Sequence, residues 1–335
     1  MSAARSPVTA VAAAAVTLCA VVAGVVAGGG APATGRAPLA AAVSTMPRTM
    51  TVVGFTDWRR VTDHYTLSKA RERDLVTRSA LIDEASEVRR LFGWRLGDVR
   101  WEIYGRGPSG GVAVVRLDRA LPTDRRLRAA GFRQADGIWH ATGRIGAEEH
   151  LFNAMELMPR NRLVVMSDHT REVVRAVDVI KSRAPSLASV RAVADAAEAL
   201  AGAQTALIQV PGLACQSTNA ALDVDTASQV RAAEARFGQL ARYRMLGRGL
   251  TDDGSHVQRF VLAMPFRSAS IARRQAEIRA HMSEGPFVGR SEAMSEVLRL
   301  RDSRAQGTTA VLSYGHPADA EYLMTGQGPL LPASC

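Results

Sequence analysis

Lysine and cysteine are scarce in this chain of 335 residues. Lys69 and Lys181 are the only lysines, so the basic character comes almost entirely from arginine. Together with abundant Ala, Val and Gly, this bias is typical of coding in a GC-rich bacterium. Acidic residues are fewer than basic ones, which gives a net charge of +10. The arginines are scattered instead of forming a block, so the pattern favours a solvated surface over a dedicated anion site.

The N-terminus has the layout of an export signal. Arg5 precedes an apolar run from Val8 to Val26, and Ala31-Pro32-Ala33 provides a small-residue site for cleavage before Thr34. The run also matches the ~20 residues needed to cross a bilayer. Residues 1–33 are therefore predicted to be a signal peptide or a retained membrane anchor. The rest of the chain is expected to be extracytoplasmic, either secreted or anchored to the cytoplasmic membrane by one N-terminal span.

An extracytoplasmic location limits the partners of a basic protein. Exported proteins rarely meet nucleic acid, so no nucleic-acid binding is predicted. Anionic lipids and polymers of the cell envelope attract positive charge by the same electrostatics and are the more available candidates. The favoured interpretation is that the scattered arginines only keep the surface solvated, so no partner is assigned from the sequence.

The cysteines refine the prediction of compartment. Cys19 follows Leu18, a bulky residue where a lipoprotein signal needs a small one, which argues against lipidation. Beyond this segment only Cys215 and Cys335 remain, and an oxidising compartment favours a disulfide between them. Closing a loop of roughly 120 residues would destabilise the unfolded chain by about 4 to 5 kcal/mol. Two free thiols are the alternative.

Composition and turn signals divide the rest of the chain. Residues 34–50 are mostly Ala, Pro, Ser and Thr without an apolar period, and are predicted to be a flexible linker. Residues 51–211 are predicted to form a first α+β module, and residues 212–335 a second, smaller one. Strands joined by hairpins predict antiparallel sheets covered by helices on one face. One continuous α+β domain is the alternative to two related modules.

Apolar periodicity and turn residues locate the main elements. Apolar residues at helical spacing before Gly93 predict a helix over residues 79–93. Asp136-Gly137 is the strongest hairpin signal in the chain. Hairpins are predicted at 99–117, 132–142 and 241–264, helices at 123–130, 168–180, 187–200 and 268–282, single strands at 163–166, 204–210 and 308–314, and a short closing helix at 318–324.

One glycine-rich loop contains two strings that resemble functional motifs. Gly105, Gly107 and Gly110 spell G-x-G-x-x-G, but a dinucleotide site needs a helix directly afterwards, and a strand is predicted there. Ser109 is the serine of a G-x-S-x-G string, but a nucleophile elbow needs a strand-to-helix turn, not a hairpin loop. No nucleotide site and no catalytic residue is therefore predicted.

The seven histidines include no pair at the H-x-x-x-H spacing of a helical metal site. Glu148, Glu149 and His150 are adjacent and follow His140 by about ten residues, so a metal cluster can be imagined if the hairpin folds back. A solvated turn is the favoured interpretation, and no metal or other cofactor is predicted.

The tryptophans all lie in the first half of the chain. Core packing of all four is favoured over a groove for an apolar or glycan ligand, because Trp101 and Trp139 lie in predicted strands beside polar neighbours, as core residues do. The densest polar and aromatic segment, residues 57–65, is the predicted partner-binding patch. Its candidate residues are Asp57, Trp58, Arg59, Arg60, His64 and Tyr65.

An export signal, an aromatic first module that opens with Gly54-Phe55-Thr56-Asp57-Trp58, and repeated hairpin-helix units resemble uncharacterised exported proteins of actinobacteria. The resemblance is one of layout over most of the mature chain, and it implies compartment and lineage only. The chain is predicted to be a non-enzymatic binding or scaffold module of the cell envelope. The alternatives are an extracytoplasmic hydrolase whose site is assembled in space, and an envelope lipid carrier.

Overall fold

The structure is a computed structural model that describes residues 37–143, 151–210, 212–214, 224–252, 254, 257–285, 293–317, 323–324 and 330–335. Residues Arg36–Cys335 form one compact unit. The predicted export signal lies wholly outside the described residues. The predicted closing helix at 318–324 lies mostly outside them. In the part of the chain that is described, no helix has the length and apolar character that a membrane span requires.

The described strands form a single antiparallel sheet of twelve strands. Its order is β11-β12-β10-β9-β8-β1-β2-β3-β7-β6-β5-β4. The strands are β1 (Val52–Thr56), β2 (Val99–Gly107), β3 (Gly110–Leu117), β4 (Phe132–Ala135), β5 (Ile138–Ala141), β6 (Ala154–Met158), β7 (Leu163–Ser167), β8 (Thr205–Gln209), β9 (Leu246–Thr251), β10 (Val257–Pro265), β11 (Arg299–Gln306) and β12 (Thr309–Pro317).

The sheet has two halves that meet at the β1–β8 pair. Outward from this pair, the first half runs β1-β2-β3-β7-β6 and the second runs β8-β9-β10-β12-β11. Each half therefore consists of one strand, then a hairpin, then a second hairpin. In this second hairpin, the strand that comes later in the sequence is the one that pairs with the first hairpin. The β4–β5 hairpin extends the first half only. The predicted module boundary at residue 211 falls after β8, whereas the strand order groups β8 with the second half.

Helices cover both faces of the sheet, which confirms the α+β class and the antiparallel sheet but corrects the expectation of helices on one face. The helices are α1 (Pro38–Val43), α2 (Trp58–His64), α3 (Leu67–Glu72), α4 (Ala85–Phe92), α5 (Asp124–Ala129), α6 (Thr170–Ile180), α7 (Arg191–Ala199), α8 (Val224–Phe237), α9 (Ala269–Met282) and α10 (Met294–Val297).

Two apolar clusters separate these layers. One contains Trp58 and residues of α2, α4, α5 and α9, and its side of the sheet is called the Trp58 face. The other contains Leu39 and residues of α1, α6 and α7, and its side is called the Leu39 face. Because side chains alternate along a strand, each inner strand feeds both clusters. All four tryptophans are buried, which confirms core packing.

The described part of the predicted flexible linker, residues 37–50, is folded. Within residues 34–50 the chain forms α1, and Leu39, Val43, Met46 and Met50 are buried on the Leu39 face. The apolar residues are too few and irregular to show a period, but they face a large apolar surface that only the sheet provides.

Local turn signals are confirmed where the chain needs an unusual backbone. Asp136 and Gly137 both have positive φ, of 51° and 82°, as a two-residue hairpin with a type I′ turn requires. Gly93 ends α4 in the left-handed region with φ of 78°. Thr123 and Ser268 cap α5 and α9 by accepting hydrogen bonds from backbone N–H groups.

Candidate functional site

The glycine-rich turn between β2 and β3 packs against the start of α6. A strand follows the turn, as predicted, and not the helix that a dinucleotide site needs. The Ser109 hydroxyl accepts a hydrogen bond from Arg175 Nη1 at 2.6 Å, and its carbonyl oxygen accepts one from Arg171 Nη2 at 3.0 Å. Gly110 has φ of 134°, a backbone conformation that favours glycine, and an added Cβ would lie 2.9 Å from His169 Cδ2.

A buried carboxylate holds the arginines at this turn. Glu172 is fully buried, and its Oε1 accepts hydrogen bonds from Arg175 Nη1 at 2.9 Å and Arg171 Nε at 3.3 Å. Because a guanidinium only donates hydrogen bonds, its bond to the Ser109 hydroxyl cannot activate that serine as a nucleophile. The turn is therefore a packing contact between the sheet and α6.

The predicted partner patch is split between the core and the surface. Asp57 is buried and caps α2 by accepting a hydrogen bond from the Arg60 N–H group at 3.3 Å, and burial raises the pKa of its carboxyl group. Trp58 is also buried, so these two residues are not part of an exposed patch. The members that lie on the surface are Arg59, Arg60 and His64.

Tyr65, the last patch residue, belongs to a polar network between the two halves. Its hydroxyl donates to Asp252 Oδ1 at 2.8 Å, and Gly254 N–H donates to the same oxygen at 2.8 Å. Asp252 Oδ2 pairs with Arg73 and accepts from Gln258 Nε2 at 3.0 Å. Burial alone would raise the pKa of Asp252, but these hydrogen bonds, that from Arg73 first, hold it below its ordinary value. The network links helix-layer residues of the first half to the β9–β10 turn.

The first half also buries Glu102, on the Trp58 face of β2. Its Oε2 accepts from Trp58 Nε1 at 2.9 Å and its Oε1 from Ala80 N–H at 2.7 Å. Burial raises the pKa of Glu102 to about 7, although these hydrogen bonds favour the ionised form. One carboxylate oxygen thus fixes α2 and the other fixes the segment before α4.

The second half buries Arg248 at the position that corresponds to Tyr104 in the first. Strand pairing forms one row across the Trp58 face, in which Tyr104 pairs with Gly54, Gly54 with Leu207 and Leu207 with Arg248. Each of Tyr104 and Arg248 therefore lies one strand outside the central Gly54–Leu207 pair.

Arg248 is buried without an acidic partner among the described residues. Its side chain has no exposed surface, and Nη1 donates to the Leu323 carbonyl at 3.1 Å. Nε and Nη2 have no hydrogen-bond partner in the part of the chain that the structure describes. Burial, with a smaller effect of the positive charge of Arg78, lowers the pKa of Arg248 to about 10, so the guanidinium stays charged at neutral pH.

Arg78 is close enough for its charge to affect Arg248, and the two residues are called the arginine pair. Arg78 lies over Gly54, where an added Cβ would be 2.8 Å from the Arg78 carbonyl oxygen and 3.1 Å from its Cβ. Its Nε is buried and has no partner among the described groups, and burial lowers the pKa of Arg78. Asp74 is the acidic residue whose charge opposes that decrease, and its Oδ2 accepts from Met324 N–H at 3.2 Å.

A second fully buried arginine, Arg279 of α9, is fully paired in contrast. Nη1 donates to the carbonyl oxygens of Pro332 and Ser334, the latter at 2.9 Å. Nη2 donates to the Ala241 carbonyl at 3.0 Å, and Nε to Gln275 Oε1 at 3.2 Å. Arg279 therefore anchors the C-terminal segment to the second half.

Of the two cysteines in the predicted disulfide, Cys335 lies among the described residues and Cys215 does not. Cys335 is disulfide-bonded and packs against the cluster of the Trp58 face. Cys215 lies outside the described residues, so its pairing with Cys335 stays a prediction. Ala214, directly before it, is buried in the same cluster, which is consistent with the pairing.

The imagined metal cluster is not tested, because Glu148, Glu149 and His150 lie outside the described residues. Among the described residues, no group of three His, Cys, Asp or Glu side chains is arranged to hold a metal ion. A cavity of about 480 Å³ lies at the β11 edge of the sheet, and Glu296, Arg299 and Arg301 contribute charge to its lining.

Comparison of the chain with protein-family models, with curated proteins and with solved structures finds no match in any of the three.

The burial of several polar residues in the core was not predicted from the sequence. Glu102 stands between Trp101 and Ile103, and Arg248 stands in the apolar strand Leu246–Thr251. A charged residue inside an apolar strand is the signal that could have found both. Arg78 has no such signal, because its position depends on the missing side chain of Gly54, 24 residues earlier.

Proposed function

We propose that this chain is an exported, non-enzymatic binding module of the cell envelope. The N-terminal sequence supports export, and the net charge of +10 favours anionic envelope lipids or polymers as partners. The layout resemblance to exported actinobacterial proteins supports the same compartment.

The observation that carries the non-enzymatic part is the hydrogen bond from Arg175 to Ser109. It places a permanent donor where a serine hydrolase needs a base. Glu102 and Asp252, two acids buried on the Trp58 face, are likewise bound to structural donors. In contrast, the arginine pair retains unused donors, and unused buried donors favour binding.

A reporter enzyme that is active only outside the cytoplasm tests the location. Fusing it to the C-terminus of the full chain in an actinobacterial host should give active reporter in the envelope or medium. Deletion of residues 1–33 is the matched control and should leave the reporter inactive. An inactive reporter on the intact, expressed full chain would overturn export.

Binding to envelope material is tested with the same exported protein. Co-sedimentation with cell-wall polymers or anionic vesicles should fall as salt increases, because exposed charges are screened. Equal sedimentation with neutral vesicles, independent of salt, would contradict an electrostatic partner.

A further inference from the structure

The two nitrogens of Arg248 that lack a hydrogen-bond partner among the described residues lie along one edge of its guanidinium. Nε and Nη2 are adjacent and point in the same direction, whereas Nη1 already donates to Leu323. Two parallel N–H donors on one edge match two oxygens of a carboxylate or phosphate group. The free edge is thus the part of the side chain suited to an oxyanion.

Burial makes this arrangement unfavourable without a ligand. A guanidinium with no exposed surface loses its hydration, and the penalty is several kcal/mol when no anion or full set of acceptors replaces the water. Arg279 shows what full replacement looks like, since each of its three nitrogens has an acceptor. Arg248 has one acceptor among the described residues.

Arg78 adds a second positive charge to the same region. The row that connects Gly54 to Leu207 and Leu207 to Arg248 sets Arg78, which lies on Gly54, two strands from Arg248. Arg78 is half-buried, so the arginine pair extends from the core toward the surface. Its Nε is a third donor that lacks a partner among the described groups.

We infer that Arg78 and Arg248 bind a phosphoryl group on the Trp58 face, beside the boundary between the two halves. A phosphoryl group carries a charge of about −1.5 to −2 at neutral pH, which offsets both guanidinium charges, whereas a carboxylate offsets one. It also has enough oxygens for the fork of Arg248 and for Arg78. The inference names a ligand class for the binding function proposed above, but it does not depend on export.

Isothermal titration calorimetry with inorganic phosphate tests the site in full-length protein dialysed into chloride buffer at fixed ionic strength. Saturable binding is expected, with acetate weaker. Arg248→Lys keeps the charge but removes the fork, so phosphate affinity should fall at least about tenfold. Arg78→Met changes a half-buried residue and should weaken binding even if the Arg248 variant does not fold.

Arg279→Lys is the matched control, because it alters an equally buried arginine in which each of the three nitrogens has an acceptor. It should keep the affinity of the unmodified protein for phosphate. The site would be overturned if the unmodified protein showed no saturable phosphate binding. It would also be overturned if the Arg248 and Arg78 variants bound phosphate as tightly as the unmodified protein.

Vesicles of phosphatidic acid and of phosphatidylcholine distinguish the sources of the group. Binding to the acidic vesicles that requires Arg248 supports a lipid headgroup as the ligand, and phosphate binding without it supports a soluble one. Vesicle binding unaffected by both variants, with no phosphate binding, contradicts the inference. Active exported reporter in that case would leave the proposed location intact.

Discussion

The two halves of the sheet share a strand order and differ in how they treat buried charge. In the first half, Glu102 has both oxygens occupied by Trp58 and Ala80. In the second half, Arg279 is equally well paired, but two nitrogens of Arg248 have no hydrogen-bond partner among the described residues. Glu102 on β2 is therefore a fully paired buried charge, whereas Arg248 on β9 is an incompletely paired one.

The comparison is sharpest at equivalent positions. Tyr104 and Arg248 flank the central Gly54–Leu207 pair on the same face. Tyr104 is partly buried and packs against its cluster, so it completes the apolar layer. Arg248 interrupts that layer with a charge. What distinguishes the halves is thus the side chain at one register position, and that position is where a ligand is inferred.

The largest effect is expected from Arg279→Met. The substitution leaves the buried carbonyl oxygens of Pro332, Ser334 and Ala241 without their donors and releases the C-terminal segment. We expect the free energy of unfolding to fall by about 4 kcal/mol in urea denaturation. A decrease below about 1 kcal/mol, the size of one ordinary hydrogen bond, would show that Arg279 is not an anchor.

Asp252→Asn tests the link between the halves. Arg73 would lose its ionic partner in a site where the Asp252 side chain is fully buried, so a decrease of about 3 kcal/mol is expected. Hydrogen exchange should accelerate in α3 and in the β9–β10 turn together. Faster exchange on one side only would contradict a network that joins both.

Much of this architecture follows from local sequence, but the two halves are not equally readable. Turn residues and alternation located the β2–β3, β4–β5 and β9–β10 hairpins, because glycine and Asp-Gly act locally. In α6, however, residue type does not predict burial, because Val174 is 43% exposed whereas Glu172 is fully buried. Glu172 is buried because Arg175 and the 105–111 turn lie over it, and no local pattern contains that contact.

The same reason explains what was missed at the site. The position of β11 at the sheet edge, the burial of residues 38–50 and the approach of Arg78 to Gly54 all depend on tertiary pairing. The two halves could be suspected from element order, but the register that makes Arg248 equivalent to Tyr104 exists only once the strands are aligned.

Glu102 makes the first half sensitive to pH. Its pKa is about 7 in the folded chain and 4.5 ordinarily, so the folded chain binds more protons between these values. Stability is therefore highest at low pH and is lost as pH rises toward the folded pKa. The contribution of Glu102 to the free energy of unfolding should decrease by about 2 to 3 kcal/mol from pH 5 to pH 8.

Glu102→Gln cannot ionise, so it should remove this decrease in urea denaturation curves measured at several pH values. Glu277→Gln changes an exposed glutamate and is the control that should keep it. If the Glu102 variant retains the pH dependence of the unmodified protein, the buried carboxyl group is not its source.

Ser109→Ala should have the smallest effect. The hydroxyl only accepts a hydrogen bond from Arg175, whose Nη1 keeps Glu172 as partner, so stability should change by no more than about 0.5 kcal/mol. Turnover of nitrophenyl esters should be equal in both proteins. Ester hydrolysis that disappears with Ser109 would support the hydrolase alternative.

In the free protein, Arg248 is a buried charge that is incompletely paired among the described residues, whereas each nitrogen of Arg279 has an acceptor. The free energy of unfolding of Arg248→Met, in urea and in chloride buffer free of oxyanions, tests it most directly. Losing the bond to Leu323 costs about 1 kcal/mol, less than the cost of the buried, incompletely paired charge. We expect the free energy of unfolding of Arg248→Met to be at least as large as that of the unmodified protein. A decrease of about 4 kcal/mol, equal to that expected for Arg279→Met, would contradict it.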